Sequence, residues 1–259
     1  MGLLDGRKAL VFGVANDHSI AWGIAKALHA EGATVGFSSI ESLIERRVRP
    51  LAASLGSPFV EAFDVSSDDD VRAVMAKWGA EQGQVDILVH AVAYAKREDL
   101  SGSFVDTSRD GFALAMDVSA YSLVAMVREA RPYLHRGSSV MTLSYYGAEK
   151  VVTHYNVMGV AKSALEASVR YLAADLGPDG IRVNAISAGP IRTLSAGGIA
   201  DFRKLYGPFD QIAPLRSHIT IEEVGRTALY LASDLSSAVT GEVVHVDGGF
   251  STLGVPAID

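Results

Sequence analysis

Two tyrosines and a lysine in the second half of the chain carry the side chains best suited to chemistry. Tyr155 and Lys162 bracket the segment Tyr-Asn-Val-Met-Gly-Val-Ala-Lys, and a spacing of seven residues brings them to one face of a helix. An ammonium beside a phenol is expected to lower the pKa of the phenol and to favour a hydrogen bond to a developing oxyanion. Tyr145 lies upstream, just after a predicted strand at 139–143. A packed tyrosine and a solvated lysine would explain the same spacing.

A second tyrosine–lysine pair, Tyr146 and Lys150, has the spacing Tyr-x-x-x-Lys. This pair follows directly on the predicted strand and spans Gly147, where no helix would align the two side chains. We therefore expect Tyr146 and Lys150 to take no part in catalysis.

The turn after the first predicted strand is a candidate phosphate site. Residues 13–23 read Gly-Val-Ala-Asn-Asp-His-Ser-Ile-Ala-Trp-Gly and open a helix for which Ser19 is the expected N-cap. Backbone N–H groups and the positive end of a helix suit a pyrophosphate. The spacing Gly-x-Gly-x-x-Gly is absent, so an ordinary strand–helix turn is an equally good interpretation.

Two further segments concern a nucleotide cofactor. Asp64 and Val65 follow the third predicted strand, where a carboxylate could accept a hydrogen bond from an adenine amino group, or could simply cap the next helix. The segment 38–41 after the second strand holds Glu41 and no cation. Because the 2′-phosphate of NADPH needs a cation, this segment favours NADH over NADPH.

Short β-rich runs alternate with helical patterns along the whole chain, which is typical of an α/β doubly wound sheet with helices on both faces. We predict about seven parallel strands, at 8–13, 33–37, 59–63, 85–90, 139–143, 181–186 and 242–246. We predict helices between Ser19 and Gly32 and at 41–55, 68–82, 109–134, 155–176 and 222–233, with a kink or break at Pro50. No linker interrupts this pattern, so one domain spanning 1–259 is expected.

Composition excludes several classes of protein. The 259 residues include no cysteine, which excludes disulfides, thiolate metal sites and a thiol nucleophile. A formal charge of −7 argues against nucleic acid as the main partner. No apolar run is suited to a signal peptide or a membrane span, so we expect a soluble, cytoplasmic protein. The predicted helix at 109–134 is nevertheless too apolar to be fully solvated.

Four motifs together resemble one known family along essentially the whole chain. They are the turn at 13–23, the segment Leu143-Ser144-Tyr145 with the Tyr-x6-Lys helix, and the segments 182–193 and 241–250. The chain resembles the bacterial NADH-dependent enoyl-[acyl-carrier-protein] reductases, a divergent branch of the short-chain dehydrogenases/reductases. This resemblance implies NADH-dependent reduction of the trans-2 double bond of an enoyl thioester, the last step of the type II fatty acid elongation cycle.

The resemblance also implies roles for individual residues. Catalytic roles fall to Tyr145, Tyr155 and Lys162. Cofactor contacts fall to Gly13, Ala15, Ser19, Ile20, Asp64, Val65, Ala91, Val92, Ala93, Lys162, Ile191 and Thr193. Substrate contacts fall to Tyr94, Ala95, Tyr145, Tyr155, Met158, Ser195, Ile199 and Phe202, partly within a mobile segment at about 190–210.

The same resemblance implies a homotetramer and an acyl carrier protein as partner. Carrier proteins are acidic, so a chain of charge −7 needs local cations to meet one. Four candidates lie near the mobile segment: Arg192, Arg203, Lys204 and Arg216. The chain departs from the family at Ala91-Val92-Ala93, where Ser-Ile-Gly is frequent, and at Ile40, where a polar residue is frequent.

Three alternatives remain open at this stage. A reductase of the same superfamily could act on the carbonyl of a 3-oxoacyl thioester. A binding module could hold NAD(H) without turnover. A purely structural protein would leave the cofactor turn without a ligand.

Overall fold

The computed structural model describes residues 2–198 and 206–254. Across this part of the chain, seven parallel strands form one sheet in the order β3-β2-β1-β4-β5-β6-β7. The strands are β1 (Lys8–Phe12), β2 (Thr34–Ser39), β3 (Val60–Ala62), β4 (Ile87–His90), β5 (Ser139–Ser144), β6 (Arg182–Ala188) and β7 (Val243–Val246). All seven predicted strands are confirmed, with ends shifted by one or two residues.

Helices cover both faces of this sheet. They are α1 (Ile20–Ala30), α2 (Glu41–Leu43), α3 (Arg49–Ser54), α4 (Asp68–Glu81), α5 (Arg109–Met116), α6 (Ser122–Ala130), α7 (Asn156–Leu176), α8 (Phe209–Ile212) and α9 (Ile221–Ala232). The predicted α/β doubly wound fold is confirmed. It follows from central strands that are buried on both faces, since every residue of β4 and β6 is buried.

The two faces hold separate hydrophobic cores. Ala9 and Val11 of β1 pack under α1 and α9, whereas Leu10 and Phe12 pack under α4, α6 and α7. All four side chains are fully buried. The alternation follows from the two-residue period of a strand and explains why β1 carries no polar residue after Lys8.

Two long helical predictions are interrupted in the structure. The predicted helix at 41–55 divides into α2, a π-helical turn at Ile44–Val48 and α3, which begins with Arg49 and Pro50. Proline fits the first turn of a helix because the N–H that it lacks would have no partner there. The predicted break at Pro50 is thus confirmed.

The predicted helix at 109–134 divides into α5, a π-helical turn at Asp117–Tyr121, α6 and a 3₁₀ turn at Arg131–Tyr133. The stretch Arg109–Tyr133 is long and apolar enough to cross a membrane, with a mean hydropathy of 1.3. Within this stretch, 56% of the most apolar 18 residues is buried inside the fold, as in a core helix. Its apolar side packs on α4 and α7 rather than facing solvent.

The sheet order reverses between β1 and β4. From β1 the chain moves outward to β2 and β3, then returns to place β4 on the other side of β1 and continues to β7. The loops after β1 and β4 therefore diverge and leave a crevice at the carboxyl end of the sheet. Ligands of such sheets bind in this crevice.

Candidate active site

A cavity of about 540 Å³ occupies the crevice and extends to the carboxyl ends of β5 and β6. Most of the residues predicted from the sequence form its walls: Gly13, Ala15, Ser19, Ile20, Ala91, Val92, Ala93, Tyr94, Ala95, Tyr145, Tyr155, Met158, Lys162, Ile191 and Thr193. Ser195 begins a 3₁₀ turn, Ser195–Gly198, whose Ala196 also borders the cavity. Ile199 and Phe202 lie outside the described residues.

The turn after β1 is shaped by Gly13. Its φ of +94° lies in the left-handed region, and a Cβ here would lie 2.1 Å from the carbonyl oxygen of Ala91. The N–H of Gly13 donates to the carbonyl of Ser38 at 3.0 Å. Only glycine therefore allows the loops after β1 and β4 to come this close.

Ser19 shapes the same turn in a way that the sequence did not predict. Its hydroxyl oxygen accepts from the backbone N–H groups of Ala15 at 3.1 Å and Asn16 at 2.9 Å, and it makes no capping bond to α1. Ser19 occupies the predicted N-cap position of α1, but its hydroxyl is engaged in the turn before the helix rather than with the N–H groups of the first helical turn. Among the described residues, the N–H groups of Ile20 and Ala21 have no acceptor. These two donors at the N-terminus of α1 fit a pyrophosphate.

A buried histidine fixes the end of β4. The His90 ring lies between the hydroxyls of Ser122 and Thr142, each at 2.8 Å. Burial and, to a lesser extent, the Lys162 ammonium together lower the pKa of His90 to about 3, so the ring is neutral at pH 7. The Ser122 hydroxyl donates to the Val118 carbonyl, so His90 donates to Ser122 through Nε2 and accepts from Thr142 at Nδ1.

The segment after His90 is held by the π-helical turn. The Ser119 hydroxyl accepts from the Tyr94 N–H at 2.9 Å and donates to the Tyr94 carbonyl at 3.0 Å. Ala91 and Val92 lie opposite the Gly13 turn, while the Tyr94 side chain is exposed at the wall of the cavity. The π turn, like many such turns, thus lies at a functional site.

Tyr155 and Tyr145 face each other beside the carboxyl end of β5. Their ring centroids are 4.9 Å apart with the planes at 70°, an edge-to-face arrangement. Tyr155 precedes α7, and its flanking residues His154 and Asn156 have φ of 66° and 42°, in the left-handed region. Asn156 also reaches the carbonyls of the loop at Ser101 and Gly102 at 3.4 Å. The backbone on either side of Tyr155 is therefore held in a costly conformation by its surroundings.

The pKa of Tyr155 differs in sign from the sequence-based expectation. Burial raises the pKa well above that of a free phenol, and Tyr145 and the carboxylate of Glu166 raise it further. The expected lowering by Lys162 is wrong because desolvation disfavours the phenolate more than the ammonium favours it. Burial raises the pKa of Tyr145 as well. Both rings carry neutral hydroxyls at pH 7, suited to donating hydrogen bonds.

Lys162 is buried at the wall of the same cavity as the two tyrosines. Its Nζ donates to the carbonyl of Leu143 at 2.7 Å, at the end of β5. Burial lowers the pKa of Lys162 to about 8, while the Glu166 carboxylate opposes this shift. Lys162 is thus mostly protonated at pH 7 and carries a charge that the protein only partly compensates.

Glu166 was missed by sequence reasoning, although it lies one helical turn after Lys162. Its carboxylate accepts from the hydroxyl of Ser144 at 2.5 Å, next to the strand residue that Lys162 contacts. Burial raises the pKa of Glu166, and the Ser144 hydrogen bond opposes this. The i, i+4 spacing from Lys162 was the available signal. The pair holds the last two residues of β5 against α7.

The second tyrosine–lysine pair is not assembled. Tyr146 begins a 3₁₀ turn, Tyr146–Ala148, and its ring meets Phe250 edge-on at 5.6 Å. Lys150 is exposed beyond the turn and does not border the cavity. The positions of Tyr146 and Lys150 are both consistent with the prediction that this pair takes no part in catalysis.

Asp64 and Val65 are not brought to the cavity walls. The Asp64 carboxylate accepts from the N–H and the hydroxyl of Ser66, at 2.9 and 2.6 Å, and these bonds lower its pKa. Asp64 is exposed, and its carboxylate stabilises the turn before α4. Contact with adenine therefore stays a prediction.

The cations expected to meet a carrier protein are only partly described. The Arg192 guanidinium lies over the Tyr206 ring at 4.4 Å, and Tyr206 stacks on His218 with centroids 4.0 Å apart. Arg216 is exposed. Arg203 and Lys204 lie outside the described residues.

Comparison with known proteins gives consistent matches. A family model described as enoyl-(acyl carrier protein) reductase matches residues 13–251. An enoyl-[acyl-carrier-protein] reductase [NADH] of Rhizobium meliloti is 52% identical over 258 residues, covering 100% of this chain and 95% of the relative. The Escherichia coli enzyme of the same description is 49% identical, covering 97% and 96%.

Solved structures agree. The Bacillus cereus enoyl-acyl carrier protein reductase, crystallised with NADP⁺ and an indole naphthyridinone, has a TM-score of 0.96 at 52% identity, covering 98% of this chain and all of that one. The Aquifex aeolicus enzyme has a TM-score of 0.95 at 51% identity, with the same coverage. Since the match in sequence and in structure extends along nearly the whole chain, the chain belongs to the enoyl-[acyl-carrier-protein] reductases of the short-chain dehydrogenase/reductase family.

Proposed function

We propose that the protein is an NADH-dependent enoyl-[acyl-carrier-protein] reductase of fatty acid synthesis. The observation that carries this proposal is the arrangement of a neutral phenol, a buried ammonium and an open helix N-terminus around one cavity. Family membership supports the same assignment. We further propose that the whole chain, 1–259, acts as one domain, in a cytoplasmic homotetramer.

The cofactor side of the cavity is the Gly13 turn together with the loop after β4. The free N–H groups at the N-terminus of α1 would bind the pyrophosphate, and Lys162 would bind the nicotinamide ribose hydroxyls. Ile191 and Thr193, after β6, border the end where the nicotinamide would lie. When bound, NADH supplies the hydride for the β-carbon of the enoyl thioester.

Tyr155 stabilises the charge that develops on the thioester oxygen. Its high pKa keeps the hydroxyl protonated, so it can donate a hydrogen bond to the carbonyl and to the enolate that follows. Tyr145 packs edge-on against Tyr155 and restricts the orientation of that ring. The Lys162 ammonium adds positive charge near the same oxygen. Protonation of the α-carbon then gives the saturated acyl product.

The acyl chain would lie against apolar walls. Ala95, Leu100, Tyr155 and Met158 belong to one apolar cluster that borders the cavity. The segment at about 190–210 is the proposed substrate-binding segment, and among its described residues Ile191, Thr193 and Ala196 border the cavity. Arg192 and Arg216, with Arg203 and Lys204, are the proposed contacts for the acidic acyl carrier protein.

NADH is the preferred cofactor in this proposal. The hydroxyl of Ser39 donates to the carbonyl of Val14 at 2.9 Å, and the next wall residue, Ile40, is apolar and half-exposed. The cavity wall after β2 thus offers no cation to a 2′-phosphate among the described residues.

The test compares NADH oxidation with a crotonyl and an acetoacetyl thioester. We expect oxidation with the crotonyl thioester, a loss of rate in Tyr155→Phe, and wild-type rates in the matched control Tyr146→Phe. Faster oxidation with the acetoacetyl thioester would identify a carbonyl reductase instead. Binding of NADH without oxidation in either assay would identify a binding module.

A further inference from the structure

We propose that Arg97 is an anion anchor at the mouth of the cavity and that it binds the phosphate of the phosphopantetheine arm that carries the thioester. This inference rests on the proposed function, because that arm is the part of an acyl-carrier substrate nearest the thioester. Arg97 lies in the segment after β4, far in sequence from the cations at 192–216.

The first observation is the charge of the cavity walls. Among the described wall residues, only Lys162 and Arg97 are charged, and both are cations. Lys162 is buried against the end of β5, whereas Arg97 is exposed on the short 3₁₀ helix Arg97–Leu100. No carboxylate borders the described part of the cavity, although the chain as a whole has a charge of −7. This arrangement favours an elongated ligand with an anionic group far from its reacting end.

The second observation is that Arg97 stands on a fixed support. Ala95 and Leu100, on either side of it, are buried in the same apolar cluster as Tyr155. Asp99 is also buried, so close to α5 that a Cβ on Gly111 would lie 2.1 Å from its carboxylate. Three neighbours of Arg97 are therefore anchored, and only the arginine side chain is left to reorient. A fixed support lowers the entropy lost on binding.

The third observation is that the Arg97 guanidinium is available. It has no ion pair or hydrogen bond with any described residue. By contrast, Arg128 contacts both Asp68 and Glu129, and Arg72 contacts Asp69. A free guanidinium presents two parallel donors that match two phosphate oxygens, a geometry that a lysine lacks.

The two phosphate groups of the cofactor have donors elsewhere. The free N–H groups of Ile20 and Ala21 lie at the turn after β1, in a different part of the wall from the segment that carries Arg97. The anion left for Arg97 is the one that the acyl substrate brings. In the carrier arm this is a phosphodiester, and in the soluble analogue it is a phosphomonoester.

The experiment uses two crotonyl thioesters that differ by one phosphate, those of 4′-phosphopantetheine and of pantetheine. The measured quantity is the ratio of their KM values at low salt, with NADH saturating. We expect the wild-type protein to prefer the phosphorylated thioester by about 3- to 10-fold, the range of one exposed charge-assisted contact. Arg97→Ala removes this preference, and Arg97→Lys keeps part of it. Added salt reduces the wild-type preference toward that of Arg97→Ala.

The matched control is Arg109→Ala, which removes an exposed arginine outside the cavity wall and keeps the wild-type ratio. An unchanged ratio in Arg97→Ala would overturn the inference, as would an effect confined to the KM for NADH, which would assign Arg97 to the cofactor. A wild-type protein that reduces both thioesters with equal KM values overturns this inference alone. A protein that reduces neither overturns the proposed function and this inference with it.

Discussion

The buried ammonium of Lys162 makes the stability of the cofactor-free protein depend on pH. Its pKa falls from an ordinary 10.5 to about 8 because burial disfavours the charged form. Between pH 8 and 10.5 the unfolded chain binds more protons than the folded one, so raising the pH stabilises the folded state. Replacing Lys162 with methionine removes this dependence while keeping a long, flexible side chain.

The size of the effect follows from the two pKa values. The buried charge costs about 3 kcal/mol of unfolding free energy at pH 7 and about 2 kcal/mol at pH 9, where part of the folded population is already neutral. Lys162→Met also leaves the Leu143 carbonyl without its donor, a cost of about 1–3 kcal/mol that does not change with pH. We therefore expect the unfolding free energy of the wild-type protein, relative to that of Lys162→Met, to rise by about 1 kcal/mol between pH 7 and pH 9.

The assay is urea unfolding of both cofactor-free proteins, followed by the fluorescence of the buried Trp22 and Trp78. Protein concentration is held constant because the proposed subunit association would contribute to stability. Lys150→Met, which removes an exposed lysine, serves as the control and should show no such pH dependence. A difference between wild type and Lys162→Met that stays constant from pH 7 to pH 9, or that moves in the opposite direction, would refute the reasoning.

Three further outcomes are expected. Gly13→Ala introduces about 1–2 kcal/mol of backbone strain and a contact with the Ala91 carbonyl, so the dissociation constant for NADH, followed by fluorescence titration, should rise about tenfold or more. Tyr155→Phe removes the proposed donor to the thioester oxygen, and kcat with the crotonyl thioester should fall roughly 10- to 100-fold while NADH still binds. Glu166→Gln keeps a partner for the Ser144 hydroxyl but removes the charge that supports the Lys162 ammonium. In that variant, the rise in KM for NADH at alkaline pH should begin at a lower pH than in the wild type, and an unshifted profile would contradict this role for Glu166.

The strands and most of the helices could be predicted because their signals are local. The run from Ala9 to Phe12 is apolar throughout and is followed by a glycine, and Pro50 breaks its helix through the N–H that it lacks. Such features depend only on neighbouring residues. The order of the strands depends on contacts between distant segments, which local periodicity does not predict. The roles of individual site residues came from the family resemblance.

The electrostatic state of the site could not be predicted in the same way. The sequence places Lys162 on the same helix face as Tyr155, but the sign of the pKa shift of the Tyr155 phenol depends on how completely the ring is buried. Glu166 lies in an ordinary helical pattern, and only its approach to Ser144 shows that it belongs to the site. Arg97 resembles any exposed arginine until the cavity wall is known. The burial of a side chain and the meeting of distant residues at one site depend on the whole fold, so local sequence patterns do not predict them.

The left-handed residues on either side of Tyr155 have a consequence for local unfolding. A long helix usually opens from its ends, and strained backbone at an end lowers the free energy of opening there. At that end of α7 lies Tyr155, the proposed donor, whereas Lys162 and Glu166 lie deeper in the helix and remain anchored to β5. The first turn of α7 should therefore exchange its amide hydrogens before the rest of the helix. Opening of this single turn would move the Tyr155 hydroxyl out of the site and abolish activity reversibly, while the sheet and both hydrophobic cores stay folded.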